Sequence, residues 1–145
     1  MSRWLWALGG LVTFSLLTAP PIAAEQVVQR PSVAGARVYI IAPSSGEAVA
    51  SPVKVQFGLS GMGVAPAGVP VEKTGHHHLL IDTGLPPLDV AIPSDARHRH
   101  FGGGQTEVTL ELDPGPHTLQ LLFADHRHVP HDPPVVSEVV TITVR

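Results

Sequence analysis

The chain has 145 residues, nine Lys and Arg against twelve Asp and Glu, a formal net charge of −3, and no cysteine. That weakly acidic balance argues against nucleic acid as a partner, and the absence of cysteine excludes disulfides, lipoprotein acylation and thiolate metal sites. About 110 ordered residues suffice for one hydrophobic core and not for two.

In chain order, residues 1–24 read as an export signal. Arg3 gives the positive start, Trp4 to Leu17 the apolar stretch, and Ile22-Ala23-Ala24 a small-residue cleavage site before Glu25. The stretch is too short, and wrongly flanked, for a membrane span, and no later segment approaches the roughly 20 apolar residues a bilayer crossing needs. An uncleaved N-terminal anchor is the alternative. Removing the signal takes away Arg3 and leaves eight Lys and Arg against twelve acids, a net charge of −4. The expectation is a periplasmic or secreted protein whose mature part is soluble.

Residues 25–36 read as a flexible polar tail, and residues 37–145 as one domain. Short β-like runs separated by Gly and Pro follow, with no helical period sustained. Arg37 to Ala42 is closed by Pro43 and the turn Ser44-Ser45-Gly46. Val53 to Leu59 alternates Val53, Val55, Phe57 and Leu59 with Lys54, Gln56 and Gly58, as a strand with one wet face does. The loop from Gly61 to Gly75 is long enough to be either functional or mobile. The runs His76 to Asp82, Val90 to Ile92, Thr106 to Leu112, His117 to Ala124 and Val136 to Val144 complete the set, with Asp113-Pro114-Gly115-Pro116 as a turn. The predicted fold is all-β: a single immunoglobulin-like antiparallel β-sandwich of about seven strands. The corner Pro114-Gly115-Pro116-His117-Thr118-Leu119 resembles one found in bacterial immunoglobulin-like modules, a feature silent about activity.

Nine histidines are present, and six form three copies of one spacing: His76 with His78, His98 with His100, and His126 with His128. Residues two apart on a strand share a face, with Cα atoms about 7 Å apart, so each pair can close on one ion. In this fold the second–third, fourth–fifth and sixth–seventh connections lie at one end, which gathers all three pairs there. Leu79 and Ile81 are the natural core residues of their run, which turns His76 and His78 outward and His77 inward. In the run His117 to Ala124, Leu119, Leu121 and Phe123 likewise point inward, which sends even positions such as His126 outward. His131 lies close to the same end, on a loop stiffened by Pro130, Pro133 and Pro134. Asp125 and Asp132 stand beside His126 and His131, where carboxylates can orient or bind a ligating ring. His117 belongs at the opposite end, as a structural corner residue.

Neutral imidazole suits copper(II), zinc and nickel, and with Met62 as the one soft donor after the signal the set leans to copper(II) or zinc. Loop histidines with hydrogen-bonding duties alone, or a pH-sensing cluster, are the competing readings. "HFGGG" at 100–104 is similar to an esterase oxyanion loop, but no G-x-S-x-G turn accompanies it, and a flexible glycine loop explains it better. No H-E-x-x-H helix or P-loop appears, so no enzyme is expected.

Together "TGHHHLLID", "HFGGGQTE", "PGPHTLQLLFADHRHVPHDPPVVSE" and "VTITV" are similar to a small exported bacterial family, domain-of-unknown-function family 4399, from Val38 to Arg145. The resemblance implies a secreted or periplasmic β-domain behind a signal peptide and carries no activity, substrate or partner. Some members bear a rod-shape membrane-protein label, which this chain's lack of a polytopic pattern contradicts. The histidine chemistry, though no motif, is similar to that of periplasmic β-sandwich copper carriers.

The expectation is therefore a domain that binds copper(II) or zinc through His76, His78, His126 and His128, with His98, His100 and His131 as further candidate ligands and Asp125 and Asp132 supporting them. Its role would be carriage, buffering or delivery, with a metal ion and a periplasmic protein as partners. The alternative is a non-catalytic interaction module that uses the same end to recognise a protein or glycan.

Overall fold

The computed structural model describes residues 27–145; the expected signal and the first two residues of the expected tail lie outside the described residues. Among the described residues are ten strands: β1 (Arg37–Ala42), β2 (Ala48–Val49), β3 (Val53–Ser60), β4 (Gly63–Val64), β5 (Thr74–Ile81), β6 (His98–His100), β7 (Glu107–Leu110), β8 (Gly115–Ala124), β9 (Pro130–Val136) and β10 (Val140–Val144). They form a two-sheet, all-β sandwich. One sheet has the order β1-β3-β7; the other runs β2-β10-β8-β5-β4, with β6 added to β5 and β9 to β8.

The alternation in β3 does what alternation should. Val53, Val55 and Phe57 are buried, while Lys54 is exposed and pairs with Glu107 on the neighbouring strand. Those side chains meet Leu79, Ile81, Leu119, Leu121 and Phe123 from the facing sheet and build the main core. Each such fully buried large apolar side chain contributes about 1.5–3 kcal/mol relative to its exposed state.

β5 behaves differently. From Gly75 to Ile81 every residue is buried, on both faces. The odd positions enter the main core, and there His77 packs between Phe57 and Phe123, with ring centroids 5.2 Å from each. The even positions, His76, His78 and Leu80, do point away from that core. Their face is nevertheless covered, because the segment between β5 and β6 folds over it. Ile92 and Leu88 from that segment join Leu80, Leu122, Ala124 and Val136 in a second, smaller core.

Three element expectations are corrected. Val90 to Ile92 is not a strand: its backbone serves as a lid, with the Ile92 amide bonded to the His128 carbonyl at 2.9 Å. The short strand there is instead β6. The last expected run also starts earlier, as β9 from Pro130, and is separated from β10 near Ser137. The prolines that suggested a loop are tolerated because Pro133 and Pro134 fall in a register shift between Phe123 and Ala124, where no ladder bond is demanded of them.

The described part of the expected tail is fastened across this end of the sandwich. Gln29 donates to the carbonyls of Leu88 and Pro130, the Arg127 guanidinium donates to the Val28 carbonyl at 2.6 Å, and the backbones of Arg30 and Ser32 bond to Asp132.

Candidate metal site

β5 and β8 run antiparallel with His76 opposite Ala124 and His78 opposite Leu122, so the start of β5 lies beside the hairpin that leaves β8. On its other edge, β5 pairs with β6 and places His78 directly opposite His100. Directly opposite residues project to the same face. Two imidazoles from β5, one from β6 and one from the hairpin therefore converge on the covered outer face.

The result is a cluster of four rings: His76, His78, His100 and His128. All six ring pairs lie close, with centroids 4.6–5.9 Å apart. Nε2 of His76 and Nε2 of His78 are 3.1 Å apart, and so are Nε2 of His100 and Nε2 of His128. One ligand nitrogen from each of His76, His100 and His128 falls within a mutual distance of 4.8 Å. In each short pair, one neutral ring can donate and the other accept.

Among the described residues the group consists of imidazoles alone, and burial is the first determinant of its electrostatics. Burial, reinforced by the neighbouring imidazoles, pushes His78 down to about 2 and, against a raising contribution from Asp125, His76 down to about 4. Desolvation and the adjacent His128 also lower His100. His76, His78 and His100 are thereby shifted toward the neutral form, which is the form that ligates metal. The Nδ1 atoms of His76 and His78 are buried without a hydrogen-bond partner, so nothing on that side competes for the ring orientation.

Two backbone details make room for the arrangement. His128 adopts a left-handed conformation, φ 68°, at the end of a tight hairpin in which its amide bonds to the Asp125 carbonyl at 2.9 Å. Such a position favours Gly or Asn, and another residue there costs about 1–2 kcal/mol. The second detail is Gly102, where a β-carbon would meet the His100 ring, with Nε2 only 2.5 Å away. The sequence marked Gly102 as flexible loop; its role depends on a ring lying against its backbone, and no spacing rule signals that.

Asp125 makes its hydrogen bonds to the hairpin, and its charge acts on His76 and His131 from outside the group. Its carboxylate is fully buried and accepts hydrogen bonds from the amides of Arg127 and Val129 and from the Arg127 guanidinium. Burial works to raise its pKa, but those donors outweigh burial and hold the group below its usual value. The long loop after β3 is fastened here as well. Its Ala65, Ala67 and Gly68 amides bond to the carbonyls of Gly75, Gly102 and His126.

The other expected residues lie elsewhere. His98 shares the outer face with His100 but sits opposite Leu80, and its Nδ1 is held by Asp95 at 2.9 Å. His126 is half-buried beside Asp125, with Nδ1 3.9 Å from that carboxylate, outside the four-ring group. His131 is buried and stacked on Phe123 at 5.9 Å. Asp132 is exposed and uses its backbone to bind the N-terminal segment. His100 thus takes the place that the expectation reserved for His126, because strand pairing, not chain spacing, decides which ring meets His78. His77, whose ring nitrogens lack hydrogen-bond geometry, has its pKa lowered to about 4 by burial, against a raising contribution from the Gln105 backbone. His117 stands at the far end, bonded to Asp82 and to the Asp113 carbonyl.

No curated protein and no solved structure matches the chain. A family model does match, over residues 55–145, a span that includes all four rings of the cluster, Asp125 and Gly102. On that match the chain belongs to the family described as Domain of unknown function (DUF4399).

Proposed function

We propose that the protein binds a divalent transition metal, copper(II) or zinc, at His76, His78, His100 and His128, and carries or buffers that ion outside the cytoplasm without catalysing a reaction. The observation that carries this reading is the meeting of four imidazoles from three chain segments, with Nε2 atoms paired at 3.1 Å. A tetrahedral ion bound at about 2.0–2.1 Å separates its ligand nitrogens by about 3.3 Å, so the contacts within each pair already have the required scale. A purely structural cluster would more economically use apolar side chains, since burying polar rings without partners is unfavourable. Met62 packs against the main core, which leaves the donor set all-nitrogen and suited to copper(II) or zinc rather than copper(I).

The test is calorimetry with zinc and with copper(II) on the mature domain, on a His76→Ala/His128→Ala double variant, and on His126→Ala as control. Stoichiometric, sub-micromolar binding that the double variant loses and the control keeps supports the reading. Weak binding unaffected by the double variant overturns it. An interaction module would then be the better account. Support for it lies on another surface, where a groove of about 490 Å³ between β1 and residues 136–140, lined by Tyr39, Ile40, Val136 and Val140, contains none of the clustered histidines.

A further inference from the structure

The four imidazoles are not equivalent. His76 and His78 are 0% and 1% exposed and belong to β5, the strand held on both edges by β8 and by β6 and β4. His100 is exposed and His128 half-buried. His100 ends a three-residue edge strand and precedes the buried Phe101, whose amide bonds to the His77 carbonyl, while His128 occupies a strained hairpin position. The two short nitrogen contacts respect this division, because one joins the two buried rings and the other joins the two solvent-facing rings. The cluster therefore has a buried inner half on a strand paired at both edges and an outer half that solvent reaches.

We infer that a bound ion enters and leaves through the outer half, with His76 and His78 as anchoring ligands and His100 and His128 as exchanging ligands that an acceptor displaces directly. This rests on the metal reading above. In the exchange, a lone pair on a nitrogen or oxygen donor of the acceptor forms a bond to the ion from the solvent side. The bond from Nε2 of His100 breaks, and the imidazole leaves as a neutral ring. No electron moves and the oxidation state of the ion is unchanged. Transfer is then an attack on the loaded protein rather than release followed by capture.

The experiment mixes zinc-loaded protein with increasing EDTA and follows zinc transfer by stopped flow. Direct displacement makes the transfer rate rise in proportion to EDTA concentration. A rate independent of EDTA, in protein that binds zinc stoichiometrically, overturns the exchange route and leaves the binding reading intact; failure to bind zinc at all removes both. A second measurement uses free imidazole, which can replace a missing ring only where solvent reaches the ligand position. Imidazole restores zinc affinity in His100→Gly and not in His78→Gly. Equal rescue in both, or rescue in neither, counts against the division. If His78→Gly does not fold, the dependence on EDTA decides alone.

Discussion

The two ends of the β5–β8 pair put histidine to opposite uses. At the end where β5 finishes, Nδ1 of His117 meets the Asp82 carboxylate at 2.7 Å and its Nε2 meets the Asp113 carbonyl at 2.8 Å. The Asp113 carbonyl, and then Asp82, raise the pKa of that ring. At the end where β5 begins, four rings face one another, and burial drives His76 and His78 downward, opposed at His76 by the charge of Asp125. The difference shows that the partner, not the residue type, decides the role: a ring with an acceptor on each nitrogen is shifted toward its protonated form, whereas the buried rings that face other rings are shifted toward the neutral form that keeps lone pairs available for an ion.

The largest expected effect breaks the neutral end. His76→Ala removes a buried ligand, and zinc affinity measured by calorimetry falls by more than about 100-fold, the upper end of what even outer partners of a ligand cost. The equivalent change at the other end, His117→Ala, leaves zinc affinity unchanged.

Acid separates the two ends next. His76, His77 and His78 have folded pKa values depressed below 6.5, so their contribution to stability is complete above pH 6.5 and is lost as pH falls toward about 4 for His76 and His77 and toward about 2 for His78. His117 has a raised pKa, so its contribution is complete below 6.5 and is lost as pH rises through the folded value. Asp82 is held low because the Thr118 amide and His117 outweigh the raising effect of burial, so its contribution is complete above 3.8 and is lost as pH falls through the depressed value. The metal-free protein should thus melt at lower temperature at about pH 5 than at about pH 7, and added zinc should restore more of the melting temperature at the higher pH. Stability that is level across that interval would show that the buried rings are solvated.

Gly102→Ala tests the cluster without removing any ligand. The added methyl displaces the His100 ring, and zinc binding weakens by about tenfold while the melting temperature of the metal-free protein changes little. His128→Gly gives a split outcome. Stability of the metal-free protein rises by up to about 1 kcal/mol in denaturant unfolding, because the left-handed position no longer strains a side chain, while zinc affinity falls. A loss of both would mean that the ring itself supports the hairpin. The smallest effect is at the far end, where Asp82 is 40% exposed at its side chain. Asp82→Asn should lower stability slightly, and more at about pH 6 than at about pH 9, because the cationic form of His117 is what the carboxylate holds.

Much of the fold was legible in local pattern. The alternation of Val53, Val55 and Phe57, and the Gly and Pro turns, specify an all-β chain, and the parity of Leu79 and Ile81 correctly turns His76 and His78 away from the main core. The same parity does not reveal that the face receiving them is covered. That depends on Leu88 and Ile92 reaching back over the sheet from a segment whose own pattern resembles a short strand.

The sequence by itself determined the fold class, the absence of sulfur donors other than methionine, and the outward direction of the β5 imidazoles, because period-two alternation and composition are properties of neighbouring residues. The tertiary structure alone decided that His100, rather than His126, stands with His78, that Gly102 yields space to its ring, and that two of the four rings are buried while two face solvent. Those outcomes depend on strand register and on packing between segments far apart in the chain, where a shift of one residue would send every side chain to the other face.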